Sequence, residues 1–211
     1  LPSHMLPPKQ YSLIYCDKEA TQWHTNFRLE SGKGGAVYLF RENTIIDQLT
    51  NIPKQPAPNI AYGRETDGSD IWGYQVTPSP NASNVDGLAK GILGEPIFSE
   101  EGHVVYGSPT INLTLTIPDD APEGTEIRYT LSGNEPTITS TPYIVPIDIN
   151  KTRIVRAKLF CKGYLSPRST THSFIFFPRE MTLPLVSIAT DNKYLNDNKI
   201  GIYVDGTYAS G

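Results

Sequence analysis

Cysteine is scarce: the 211 residues hold two, Cys16 and Cys161. Two thiols exclude a disulfide framework, and the four histidines, His4, His24, His103 and His172, are too scattered in sequence to complete a zinc cluster with them. Each cysteine lies inside an apolar strand-like run, SLIYCD and AKLFC, where a thiol serves as a small buried hydrophobe, so no Cys16–Cys161 bridge is expected. Basic runs of five or more are missing and the net charge is -4, which excludes a nucleic-acid polyanion as the main partner. Long apolar runs are missing as well. No stretch approaches the roughly 20 residues that span a bilayer, and the opening LPSHMLPPKQ lacks the charged start and apolar core of a signal peptide. The expectation is a soluble chain whose first residue is not the start of the gene product. Helical periodicity is absent over any useful length.

What remains is rich in strand and turn formers. Eighteen prolines, seventeen glycines and twelve tyrosines, with many Thr, Val and Ile, describe an all-β protein with punctuated turns. The length accommodates two modules of ordinary size. In residues 10–76, short apolar runs (QYSLIYCD, NFRLES, GAVYLFR, TIIDQL, NIAYGR, DIWGYQV) alternate with Gly, Asn, Pro and Asp clusters, the pattern of a sandwich or barrel. Asp67-Gly68 supplies the positive φ of a tight hairpin turn. The stretch TPSPNASNVDGLAKG replaces apolar runs with Pro, Ser, Asn and Gly, which places a module boundary near residues 84–91.

Beyond it, Ile111, Leu113, Leu115 and Ile117 alternate with Asn112, Thr114 and Thr116, giving one dry and one wet face. Ile127, Tyr129 and Leu131 repeat the pattern, as do Val155, Ala157, Leu159 and Cys161. On the other parity of that last strand stand Ile154, Arg156, Lys158 and Phe160, so its basic residues are expected in solvent. Gly133-Asn134 provides a turn, and Pro136, Pro142 and Pro146 mark an irregular sheet edge. About seven strands, ending with THSFIFF, fit an immunoglobulin-like sandwich. In the tail, Asp191 is placed to cap a turn of helix through Tyr194 and Leu195.

Reactive clusters are few. Asp67, Gly68, Ser69 and Asp70 offer oxygen atoms of the kind a calcium loop uses, but the twelfth position is Pro78 where such a loop needs a bidentate Glu, so they read as a turn. Glu100, Glu101 and His103 have no partner nucleophile and read as a solvated turn. Asp119, Asp120 and Glu123 read as loop solubility rather than a catalytic carboxylate pair. Gly32, Gly34 and Gly35 lack the following helix a phosphate cradle requires. No catalytic residue, metal or cofactor is expected. Trp23, Tyr62, Trp72 and Tyr74 are the candidate ligand-contact residues, because aromatic faces stack on sugar rings; cross-strand packing is the competing role, favoured by the position of Trp72 beside the DG turn.

Three stretches resemble known families. EIRYTLSGNEPTITSTPYIVPIDINKTRIVRAKLFCKGYLSP resembles the immunoglobulin-like module at the C-terminus of chitobiases and β-hexosaminidases, with its Y-T-L-D-G-x-x-P-T strand-turn, except that Ser132 stands where that family has Asp. The resemblance covers residues 95–178. PPKQYSLIYCD, HTNFRLES, AVYLF and AYGRETDGSDIWGYQVTPSPNASN are similar to the lamin-tail domain of secreted bacterial proteins. The acidic D-W-I-E-L-Y-N-like opening of that domain has no counterpart here, implying a module incomplete at its N-terminus with an unpaired edge that a second copy or an upstream piece fills. LPLVSIATDNKYLNDNKIGIYVDG is similar to the entry of the CotH kinase family, and no catalytic residue of that family falls on these positions.

The resemblances imply two immunoglobulin-like β-sandwich modules in tandem, the first truncated: residues 1–84 lamin-tail-like, 85–94 a linker, 95–178 chitobiase C-terminal-type, 179–211 the start of a CotH-like region. They also imply a non-catalytic structural, adhesion or protein-interaction fragment of a larger bacterial surface or secreted protein, located outside the cytoplasm. Two alternatives stand beside it, an accessory region of a CotH-type protein kinase and a carbohydrate-binding module. The partners implied are a protein, a cell-surface glycan, or a second copy meeting the incomplete first module.

Overall fold

The computed structural model describes residues 6–205. The first five residues and the last six, which include the end of the CotH-like stretch, lie outside the described residues. Two compact units divide the chain between Gly91 and Ile92. Both are built from strands, and the one helix among the described residues, α1 (Asn192–Asn196), is a single short turn. Among the described residues no helix is long and apolar enough to cross a membrane.

In the unit beginning at Ile92, five strands form one sheet: β6 (Val104–Tyr106), β9 (Glu126–Thr130), β10 (Thr141–Pro142), β12 (Arg153–Phe160) and β13 (Thr170–Phe177), in the order β10-β9-β12-β13-β6. Only the β13–β6 pairing is parallel. Opposite this sheet lie β7 (Ile111–Leu113) paired with β11 (Ile147–Ile149), and β5 (Ile97–Phe98) paired with β8 (Leu115–Thr116). Val155, Ala157 and Leu159 on β12, Ile127 on β9 and Phe174 on β13 meet Ile111, Leu113, Ile147, Ile149 and Leu115 in one continuous core. This is the two-layer sandwich that period-two alternation requires. Full burial of each large aliphatic or aromatic side chain contributes about 1.5 to 3 kcal/mol.

Three details differ from the reading of the strands in isolation. The run 111–117 is not one strand, because Thr114 is where it changes partner: residues before it pair with β11 and residues after it with β5, and Ser99 bonds Thr114 through both its N–H and its hydroxyl. The dry face survives this exchange, since Ile111, Leu113 and Leu115 are all buried. The described residues of this unit accordingly hold nine strands, not about seven. Second, Arg156 and Lys158 are not simply solvated. Both are half-buried and converge on Glu135, Lys158 at 3.0 Å and Arg156 in closer contact. Third, Asp191 precedes α1 but makes no side-chain cap. Its Oδ1 instead accepts the Glu135 N–H at 2.7 Å and lies 3.6 Å from Arg156, which ties the tail to the sandwich. Pro142 lies on the edge strand β10, where no ladder N–H is missed. Gly133 makes the expected turn at φ +80°, its N–H donating to the Ile154 carbonyl.

The unit ending at Gly91 is also β but is assembled from hairpins. β1 (Gly35–Arg41) and β2 (Thr44–Ile52) form a long antiparallel pair with bulges at Gly35/Val37 and Leu39/Phe40. β3 (Tyr62–Arg64) and β4 (Trp72–Tyr74) form a short one. Isolated bridges such as Tyr15 to His24 and Gln75 to Leu88 hold the rest. Its buried residues are Thr25 and Gln75, and no apolar side chain is buried among its described residues. Of the two sandwiches expected in tandem, one closed core is therefore visible. Cys16 and Cys161 are free thiols, one in each unit.

Candidate functional site

Register brings three of the four candidate aromatics together. In the β3–β4 hairpin Tyr62 pairs with Tyr74 and Arg64 with Trp72, so residues i and i+2 of one strand share a face with their partners on the other. The Tyr62 and Trp72 rings stack at 6.4 Å and 15°, and Tyr74 meets Tyr62 edge-on at 5.4 Å. Arg64, which the sequence reading passes over, lies with its guanidinium 4.3 Å from the Trp72 ring centre. It also donates to Asp47 at 2.6 Å and to the Ser69 carbonyl. The Tyr74 hydroxyl donates to the Lys54 carbonyl at 2.9 Å. Trp23 is not joined to this set by these ring contacts. It sits in the 15–28 segment at φ +67°, its carbonyl accepting the Tyr15 N–H.

The arrangement is a packed aromatic ledge in which Tyr62 and Arg64 already occupy the surroundings of Trp72. Cross-strand packing and the cation–π contact account for it. The signal for Arg64 was present in the sequence as Y-G-R, two residues from Tyr62, but its partner depends on the loop. Asp67-Gly68 does not make a two-residue turn. Residues 65–71 form a longer loop, closed by the Glu65 N–H donating to the Ile71 carbonyl at 2.8 Å, with Gly68 at φ +78°.

Asp67 holds that loop to two distant segments. The Tyr11 hydroxyl donates to its Oδ2 at 2.6 Å and the Asn84 N–H to its Oδ1 at 3.1 Å, with the Ser83 hydroxyl 2.5 Å from Tyr11. These bonds, led by that from Tyr11, hold the Asp67 carboxyl below the ordinary aspartate value. A carboxyl lowered in the folded state stabilises it at pH values above the unfolded titration, and the contribution disappears as pH falls through the folded value. The junction should therefore persist at neutral pH and release below about pH 4. In an NMR titration, the Asn84 amide shift should move with a midpoint lower than that of an unperturbed aspartate, and Asp67→Asn should abolish the movement.

The β1–β2 hairpin is the other unusual surface. Val37, Tyr38, Leu39, Phe40, Ile45 and Ile46 are all exposed, Leu39 and Phe40 by more than half. A cavity of about 820 Å³ runs between this hairpin and the preceding segment, lined by Leu13, Phe27, Leu29, Val37 and Leu39, with Cys16 and His24 also on its wall. Apolar patches of this extent on a polar surface are a mark of interaction sites.

The clusters read as non-catalytic have structural partners. The Gly102 N–H donates to Nδ1 of His172 at 2.8 Å, so that nitrogen is an acceptor, and the His103 ring stands edge-on to Phe174 at 5.6 Å. Gly34 and Gly35 lead into strand β1, and Lys33 pairs with Glu30 at 2.8 Å. Asp119 and Asp120 lie in a turn closed by the Ala121 N–H on the Pro118 carbonyl.

No curated protein and no solved structure matches this chain. Residues 101–172, within the sandwich of the unit that begins at Ile92, match the family model of the chitobiase/beta-hexosaminidase C-terminal domain.

Proposed function

We propose that the chain is a non-catalytic interaction segment of a larger extracytoplasmic bacterial protein, in which the sandwich acts as a rigid spacer and the first unit makes the contact. The observation that carries this is the β1–β2 hairpin, where Val37 to Phe40, Ile45 and Ile46 are exposed and no apolar residue is buried, while those of the sandwich are closed into a core. The match to a C-terminal accessory domain of glycosidases supports the spacer role, and the lamin-tail resemblance of residues 1–84 and the CotH resemblance of 179–211 support a surface or secreted setting. The occupant of the hairpin is a second copy of the first unit, because paired strands with bare apolar faces are self-complementary. Phe40 and Ile45 are register partners on one face. In sedimentation velocity over a concentration series the chain should form dimers, and Phe40→Glu with Ile45→Thr should return it to monomer. A chain that stays monomeric at high micromolar concentration would sink this reading.

A second reading, glycan binding, is favoured by the family match together with the half-exposed Tyr62, Trp72 and Tyr74. Calorimetric titration with chitooligosaccharides separates the two. Heat lost in Trp72→Ala selects the glycan reading, and absence of heat leaves the ledge as packing.

A further inference from the structure

We infer that Asp17, Glu19 and His24 form a binding site for a divalent transition-metal ion of the zinc class, which staples the segment between Tyr15 and Arg28. His24 Nδ1 lies 2.5 Å from Asp17 Oδ2 and 3.7 Å from Glu19 Oε2, and the three ligand atoms fall within 4.8 Å of one another. Donor atoms around a tetrahedral ion with bonds of about 2.1 Å are separated by about 3.4 Å. Small rotations of Asp17 and Glu19 bring all three to that spacing, replacing the direct His24–Asp17 hydrogen bond with two bonds to the ion. One imidazole and two carboxylates are a zinc-type donor set with a fourth position left for water, and the imidazole disfavours calcium and magnesium, which take oxygen ligands.

The surroundings support a cation there. Asp17 and Glu19 place two carboxylates beside the His24 ring, and among the described residues no lysine or arginine side chain forms an ion pair with either. Arg28 reaches only the Asp17 carbonyl, at 3.4 Å. The His24 ring is held in place by Tyr15, stacked on it at 4.8 Å and 18°, while the Thr25 N–H donates to the Tyr15 carbonyl. Lys18 and Ala20, on either side of Glu19, adopt φ of +73° and +54°, a conformation unfavourable for residues with a β-carbon. The first unit also has reason to use a staple, because it buries no apolar side chain among its described residues, and units without a sufficient core rely on metals or cross-links. Three ligands at 17, 19 and 24 match no familiar spacing, so counting dispersed histidines misses them.

Isothermal titration of the whole chain with ZnCl₂ at pH 7 tests the site. One saturable site is expected, weakened at least tenfold by both His24→Ala and Glu19→Gln and unchanged by His103→Ala. Glu19 is well exposed, so Glu19→Gln should not perturb folding and keeps the test interpretable if His24→Ala unfolds the segment. Titration with Co²⁺ should give visible bands without a thiolate charge-transfer band. No saturable binding, wild-type affinity in His24→Ala or in Glu19→Gln, or a thiolate band that vanishes in Cys16→Ser would each overturn the assignment.

Discussion

Phe174→Ala should destabilise the sandwich by about 3 to 5 kcal/mol, read as a lowered urea midpoint in far-UV circular dichroism. Phe174 is fully buried on β13, among the core residues contributed by β7, β9, β11 and β12. Removing its ring forfeits both the transfer of a large apolar surface out of water and the contacts lining the space left behind. Neighbouring β-branched side chains are stiff about χ1 and cannot swing in to refill that space. Total stability of a domain is about 5 to 15 kcal/mol, so this one change removes a large fraction of it. Phe40→Ala on the exposed hairpin provides the contrast, with an expected effect within about 0.5 kcal/mol. Equal effects at the two positions would mean that the core is not where the β12 alternation puts it.

Glu135→Ala should cost about 2 kcal/mol, the second-largest loss expected. Glu135 accepts from Lys158 at 3.0 Å and from the Ser169 hydroxyl at 2.8 Å, and also pairs with Arg156. Its loss leaves two half-buried cations side by side, with Asp191, at 3.6 Å from Arg156, the remaining carboxylate paired with either among the described residues. Removing one partner of a fully buried pair costs more than this, and the partial exposure of all three side chains reduces the penalty through solvent screening. Glu135→Gln should fall between wild type and Ala, since it keeps an acceptor for Ser169 but not the charge. Urea unfolding of the three proteins at low and moderate salt gives the comparison, and an Ala variant within 0.5 kcal/mol of wild type would show that Arg156 and Lys158 are simply solvated.

That pair of predictions also divides what was legible in the sequence from what was not. The core that Phe174 joins follows on β7, β9 and β12 from side-chain parity at a spacing of two residues, whereas THSFIFF carries apolar residues on both parities and does not by itself single out Phe174. The Glu135 cluster follows from no such spacing, because Glu135 lies in a loop more than twenty residues from the cations it serves, and nothing local marks it as their partner. The ledge shows the same division. Tyr62, Trp72 and Tyr74 could be named from composition and a turn signal, whereas Arg64 facing Trp72 depends on a seven-residue loop that shifts the register from that of a tight DG turn.

By itself, then, the sequence determined the all-β class, the buried parity of β7, β8, β9 and β12 and the Gly133 turn, because each is written in spacings of a few residues that backbone stereochemistry enforces. Only the tertiary structure decided that the strand at Thr114 changes partners, that Glu135 gathers Arg156, Lys158 and the tail's N-cap position, that the first unit leaves its hairpin bare, and that Asp17, Glu19 and His24 converge. Such contacts join residues through strand register and loop path, which are set by how whole faces are covered and not by any short stretch of chain.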